Sequence, residues 1–174
     1  MVRPLIILAG IPGSGKSTWA NQFIQVNPRY RVVSTDQCRA TLYGNEATQG
    51  HWSQVWSQVL VGWQRGLEAI AQGQLDGLIY DATNTSRRQR CAAIAAARQL
   101  GFSPITLYWF DVPLELALSR NQNRSRQVPA EVIERMHRQL QGAPPAQADG
   151  AEGVIHLSLA DLPYQVARLG SQPG

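Results

Sequence analysis

Leu5-Ile6-Ile7-Leu8-Ala9-Gly10-Ile11-Pro12-Gly13-Ser14-Gly15-Lys16-Ser17-Thr18-Trp19-Ala20 is the stretch on which the fold turns. Its first five residues are a continuous apolar run of the kind that makes a strand buried on both faces. The octet Gly10 to Ser17 then reads G-x-x-x-x-G-K-[ST], the phosphate-binding P-loop. After it, apolar residues at 19, 20, 23 and 24 fit one face of a helix. Strand, glycine loop and helix in that order give a concave array of backbone N–H groups at a helix N-terminus, made for anions. Gly10, Ile11, Pro12, Gly13, Ser14, Gly15, Lys16, Ser17 and Thr18 are therefore the expected nucleotide-binding residues. Lys16 is placed to reach the β- and γ-phosphates of ATP, and the Ser17 hydroxyl to ligate Mg²⁺. A dinucleotide fingerprint fits less well, because Thr18 stands where a third Gly or Ala is wanted.

Lys16 is the only lysine among sixteen basic residues; the other fifteen are arginine. A lone lysine at that point of the loop reads as a compact ammonium chosen for phosphate. It also excludes two classes of enzyme. A ligase that forms a lysine–nucleotide adduct and a GTPase with an N-K-x-D guanine motif each need a second lysine. The net charge of +4 favours an anionic partner, a role ATP itself partly fills.

The 174 residues are 44% hydrophobic, enough for one domain with a substantial core. Cys38 and Cys91 have no metal-ligand spacing and the histidines at 51, 137 and 156 are scattered. The expectation is no zinc, no disulfide and a reducing, cytoplasmic setting. The N-terminal apolar run is too short for a signal segment or a membrane span.

Strand-like runs at Leu5–Ala9, Tyr30–Ser34, Leu78–Asp81, Ile105–Asp111 and Val154–Leu159 alternate with helical patterns over 51–72, 86–100, 113–121 and 129–141. This alternation predicts a doubly wound, mainly parallel α/β sheet flanked by helices. Ligands bind such sheets beyond the C-terminal strand ends, where Asp36, Asp81 and Asp111 fall. Asp36 is placed either to cap a helix beginning at 37 or to take a proton from an acceptor hydroxyl near the γ-phosphate. Arg39, one turn on, could hold an acceptor phosphate. Asp81 ends an apolar strand as a Walker B carboxylate does, which would hold Mg²⁺, or else it forms a turn.

Arg87, Arg88 and Arg90 read as a solvated helix face. The polar, arginine-rich segment 120–128 reads either as a solvated helix end or as a lid whose Arg120 and Arg124 neutralise a transferring phosphoryl group. Those two arginines share a face if the preceding helix extends that far. The tryptophans at 52, 56 and 63 follow the helical stripe and read as core.

Taken in order, Gly10 to Ala20, Ser34-Thr35-Asp36-x-x-Arg39, Asp81-Ala82-Thr83-Asn84, and Phe110-Asp111-Val112-Pro113 with Arg120-Asn121-x-x-Arg124 resemble the 5′-hydroxyl polynucleotide kinase family. The likeness is to the phage-type kinase domain and to the kinase module of bacterial RNA end-repair proteins. It covers roughly residues 3–141 and leaves 142–174 as a less distinctive tail of one P-loop kinase domain. The resemblance implies Asp36 as general base, Arg39 on the acceptor phosphate, Lys16 and Ser17 on ATP and Mg²⁺, Asp81 in the active site, and Arg120 and Arg124 in a lid.

The expected reaction moves the γ-phosphoryl of ATP to the 5′-hydroxyl of RNA or DNA. No D-x-D phosphatase signature occurs, so any end healing would be by the kinase alone. A large mechanical ATPase fits poorly, since little chain remains for an extra helical domain. Two alternatives stay open: a small-molecule or nucleotide-sugar kinase, and a regulatory module that binds ATP without transferring it.

Overall fold

A computed structural model describes residues 2–124 and 126–160. Within these, the elements run β1 (Leu5–Ala9), α1 (Lys16–Val26), β2 (Tyr30–Ser34), α2 (Thr35–Tyr43), α3 (Trp52–Ala71), β3 (Gly77–Asp81), α4 (Arg87–Leu100), β4 (Ile105–Asp111), α5 (Leu114–Gln122), α6 (Ala130–Gly142) and β5 (Gly153–Ser158). All five strands pair in parallel, in the order β2-β3-β1-β4-β5. The predicted sheet is thus present, with every strand boundary within one residue of its sequence assignment. Residues 161–174, the end of the indistinct tail, lie outside the described residues.

Alternate residues of the central strands go to opposite faces, as the two-residue period of a strand requires. Leu5, Ile7, Leu78, Tyr80, Ile105 and Leu107 pack with Val59, Trp63 and Ile70 of α3 and Ala93, Ile94 and Ala97 of α4. Ile6, Leu8, Ile79, Tyr108, Phe110 and Leu157 pack with Trp19, Ala20 and Phe23 of α1. A smaller cluster of Ile11, Val112, Ala117, Ile133 and Leu140 seats α5 and α6 against the loop that follows β1. Covering both faces is what allows these strands to be apolar without interruption.

One alternative closes and one assignment changes. Asp36 is not the cap of α2: the Ser34 hydroxyl accepts from the Asp36 N–H, so α2 starts at Thr35 and the Asp36 carboxylate is left for other partners. Arg90 is not on a solvated face. It is fully buried, donating to the Asp149 carboxylate at 2.6 Å and to the carbonyls of Asn84, Thr85 and Ala143. Arg87 reaches the other oxygen of Asp149 at 3.1 Å. A segment assigned no structural role at 142–149 therefore anchors the loop after β3.

Candidate active site

The C-terminal ends of β1, β2 and β3 open into one cavity of about 1400 Å³. That exceeds the roughly 300–1,000 Å³ of a common single-ligand pocket. It is lined by the loop after β1, the start of α2, both tryptophans at the start of α3, the loop after β3, and residues of α4 and α6. Seven cationic side chains line it, Lys16, Arg39, Arg88, Arg120, Arg124, Arg126 and Arg135, against two carboxylates, Asp36 and Asp81.

The loop holds its shape through its glycines. Gly13 and Gly15 have φ of 83° and 95°, a region that costs any other residue energy. A methyl group on Gly13 would also collide with the backbone carbonyl of Ala117 in α5. The Gly10 N–H donates to the Thr83 carbonyl at 2.9 Å, and the Asn84 side chain donates to the Leu8 carbonyl at 2.7 Å, so the loops after β1 and β3 are tied together. Asn84 itself adopts φ 46°. No side chain caps the N-terminus of α1, whose first amides remain available to an anion.

Lys16 is 7% exposed. Its Nζ donates to the Ile11 carbonyl at 2.9 Å and to Ser14 Oγ at 3.3 Å. Burial pulls its ammonium down to about 8, with Asp81 and Asp36 opposing that shift and Arg124 adding to it. A phosphate would supply the missing counter-charge and restore the ammonium.

Ser17 Oγ donates to Asp81 Oδ2 at 2.7 Å, bringing together the two residues assigned to Mg²⁺. Two adjacent hard oxygen donors with no nitrogen or sulfur between them suit Mg²⁺, which takes its remaining ligands from phosphate and water. Among the described residues no group of three or more His, Cys, Asp or Glu side chains could form an all-protein metal cage. A site completed by the nucleotide is the arrangement that fits.

At the start of α2, Asp36 Oδ1 accepts from Arg39 at 2.8 Å and from Arg126 at 3.0 Å. Both guanidiniums land on the same oxygen. Oδ2 has no hydrogen bond among the described residues, and the Asp36 side chain is 39% exposed. The carboxylate is thus oriented through one oxygen and open at the other. Arg39 Nε is buried and without a hydrogen-bond partner among the described residues.

Arg120 donates to the Gly13 carbonyl at 3.4 Å. Helix α5 stops at Gln122, so Arg120 and Arg124 do not share a continuous helical face, yet both line the cavity. Asp111 stays out of the site: it lies 2.9 Å from His156 Nε2 on β5.

The sequence reading missed Arg126, Arg88 and Arg135. Arg126 sits inside the segment read as a lid, but nothing in its spacing separates it from the other arginines there. Trp52 was assigned to the core and is 54% exposed. Trp63 is fully buried as expected, and Trp56 is partly so.

The chain is 28% identical over 137 residues to the L-seryl-tRNA(Sec) kinase of Methanococcus maripaludis, covering 76% of this chain and 51% of that one. A chain in the structure of a Pnkp1/Rnl/Hen1 RNA repair complex superposes with a TM-score of 0.65 at 25% identity, covering 81% of this chain and 45% of that one. The protein thus spans about half the length of each. An unliganded sugar kinase from Janibacter sp. HTCC2649 superposes at a TM-score of 0.61, covering 97% of this chain and 90% of that one; at 19% identity it shares the fold. No helix among the described residues is long and apolar enough to cross a membrane. Residues 5–143 match the AAA domain family model AAA_33, and with a phosphate loop, an apposed serine and aspartate, and kinases among its relatives, the chain belongs to this family of ATP-binding P-loop kinases.

Proposed function

We propose that the protein transfers the γ-phosphoryl of ATP to the 5′-hydroxyl of a polynucleotide. The observation that carries this is the charge of the cavity. Seven cationic side chains face two carboxylates, an excess that a magnesium-bound nucleotide triphosphate cancels only in part. Arg39, Arg88 and Arg135 come from α2, α4 and α6, not from the phosphate loop, and a chain of phosphodiesters is the acceptor that uses them. Arg39 gives only its Nη1 to Asp36, which leaves Nη2 as a donor to spend on an acceptor phosphate. Relatives at 25% identity or more are named for seryl-tRNA and for RNA repair, which is consistent with an RNA-linked acceptor.

In this reading the acceptor hydroxyl lies against Asp36 Oδ2, the open oxygen, while Arg39 and Arg126 fix the carboxylate through Oδ1. The acceptor oxygen attacks the γ-phosphorus in line, its proton passes to Asp36, and the bond to the β-γ bridging oxygen breaks to release ADP. Lys16 exchanges the Ile11 carbonyl for the β- and γ-phosphates. Arg120 and Arg124, in a lid spanning about 120–128, neutralise charge that develops on the equatorial oxygens. Ser17 and Asp81 would hold Mg²⁺, which supplies charge neutralisation at the phosphates when bound. Residues 1–174 form one kinase domain in this account, acting in the cytoplasm.

A small-molecule kinase would have little use for the three outlying arginines. A regulatory module that only binds ATP would not need an oriented, half-open carboxylate. The test is transfer of label from γ-labelled ATP to 5′-OH RNA and DNA oligonucleotides, with wild type beside Asp36→Asn. Label at the 5′ end that falls by about 10²–10⁴ in the variant, with ATP binding retained, is the expected result. Transfer to sugars or nucleosides but not to oligonucleotides would overturn it.

A further inference from the structure

Helix α3 opens with an aromatic pair that phosphate chemistry does not use. Trp52 and Trp56, four residues apart and so on one face, stack with ring centroids 6.0 Å apart and planes inclined by 23°. Trp56 is held edge-on by Trp63 at 5.5 Å and by Tyr80 at 6.2 Å, both in the core. Trp52 lies over that anchored ring and is 54% exposed. Both indoles line the same cavity as Asp36 and Arg39.

Leaving half an indole in water gains the fold little, and a lone exposed apolar side chain would need no explanation. Here the exposed ring extends a rigid stack, and its position relative to the acceptor end of the cavity is fixed. Tyr43 of α2 donates its hydroxyl to Gln54 Oε1 of α3 at 2.6 Å, and the same hydroxyl accepts from the His51 N–H at 3.2 Å. The junction that carries the tryptophans is thereby bound to the helix that carries Asp36 and Arg39.

We propose that Trp52, backed by Trp56, is a stacking platform for a nucleobase at the 5′ end of the acceptor strand. The proposal rests on the polynucleotide reading above and makes it specific: Arg39 takes a phosphate and Trp52 takes the face of a base. A rigid π-surface beside an excess of arginine is the combination that binds single strands without demanding a sequence, because every base has a face to stack. The platform therefore predicts an enzyme that prefers frayed or single-stranded ends and tolerates any terminal base.

The experiment compares wild type, Trp52→Ala and Trp52→Phe on 5′-OH oligonucleotides whose terminal residues are normal or abasic. Trp52→Ala is expected to raise the KM for the normal oligonucleotide about ten- to hundredfold and leave the KM for ATP unchanged. Abasic ends should impose the same loss on wild type, and the two losses should not add. Trp52→Phe should restore most of the affinity. Equal use of normal and abasic ends by wild type, or an equal loss on both in Trp52→Ala, overturns the platform.

Anisotropy of a dye-labelled oligonucleotide with a non-hydrolysable ATP analogue separates this proposal from the reading beneath it. Transfer without dependence on base or Trp52 removes the platform and keeps the kinase. Binding that depends on both, without transfer, keeps the platform and removes the kinase. A sugar or polyol whose phosphorylation is lost in Trp52→Ala would replace the base with a carbohydrate ring and overturn the proposal.

Discussion

Replacing Arg90 with methionine should cost about 3–5 kcal/mol of stability, although the residue belongs to a run of arginines that looks like surface. Its guanidinium is fully buried and makes four hydrogen bonds, at 2.6 Å to Asp149 Oδ2, 3.3 and 3.2 Å to the Asn84 and Thr85 carbonyls, and 2.7 Å to the Ala143 carbonyl. Methionine fills most of the volume, so the loss is mainly polar. Asp149 is left as a carboxylate 1% exposed, with the half-exposed Arg87 as its remaining cation. Three carbonyls lose a donor at the same time, at about 1 kcal/mol each or less.

For a chain of 174 residues each kcal/mol shifts Tm by about 2–4 °C, so the expected drop is about 6–20 °C. Calorimetry or urea unfolding measures it. Asp149→Ala should cost a similar amount, and the double variant less than the sum by about 1–3 kcal/mol, since each single change strands the other charge. Arg88→Ala, two residues away and exposed, is the control and should stay within about 0.5 kcal/mol. An Arg90→Met protein as stable as that control would refute the reasoning. ATP affinity should fall along with stability, because Arg90 holds the loop whose Thr83 carbonyl receives the Gly10 N–H.

Gly13→Ala should cost about 1–3 kcal/mol from its positive φ, with added loss of ATP binding as the new methyl pushes the loop away from Ala117; an unchanged Tm would remove the backbone argument. The lysine gives a pH signature whose sign is fixed. With its folded pKa lowered to about 8 from 10.5, the empty fold gains stability as pH rises through that interval and bears the full cost of the buried ammonium below it. ATP favours the ammonium, so above about pH 8 binding should take up a proton and weaken by up to tenfold per pH unit, which calorimetry in buffers of different ionisation enthalpy reads directly. Arg39→Ala should raise the oligonucleotide KM with ATP affinity little altered; an equal loss of both would make Arg39 a structural partner of Asp36. Oligonucleotide affinity should fall linearly on a log–log plot against salt, by about 0.7 per phosphate contacted, and Arg135→Ala should flatten that slope.

The strands and the phosphate loop were legible in the sequence because their signals are local. An apolar run of five, a glycine loop and a helical stripe each announce themselves within one turn or one strand. The loop's lysine is conspicuous because no other lysine occurs. Ser17 and Asp81 could also be paired, since a strand that ends in aspartate has few places to go in a parallel sheet. What could not be read was the identity of the other groups around Asp36. Arg126 is 90 residues away and meets it only because the segment after α5 returns to the start of α2.

The same limit governs the arginines of α4. Arg87, Arg88 and Arg90 are neighbours in the chain, yet one pairs at the surface, one faces the cavity and one is buried, and the difference lies in Asp149, 59 residues beyond Arg90. Trp52 and Trp63 lie on the same stripe, and only the end of the helix relative to the sheet decides which is covered. By itself the sequence determined the parallel α/β sheet, the phosphate loop and the charge of the ligand, because these follow from short-range periodicity and composition. The tertiary structure alone decided which arginine lines the cavity, which holds the fold and which tryptophan meets solvent, because burial and ion pairing are set by partners that only folding brings within a few ångströms.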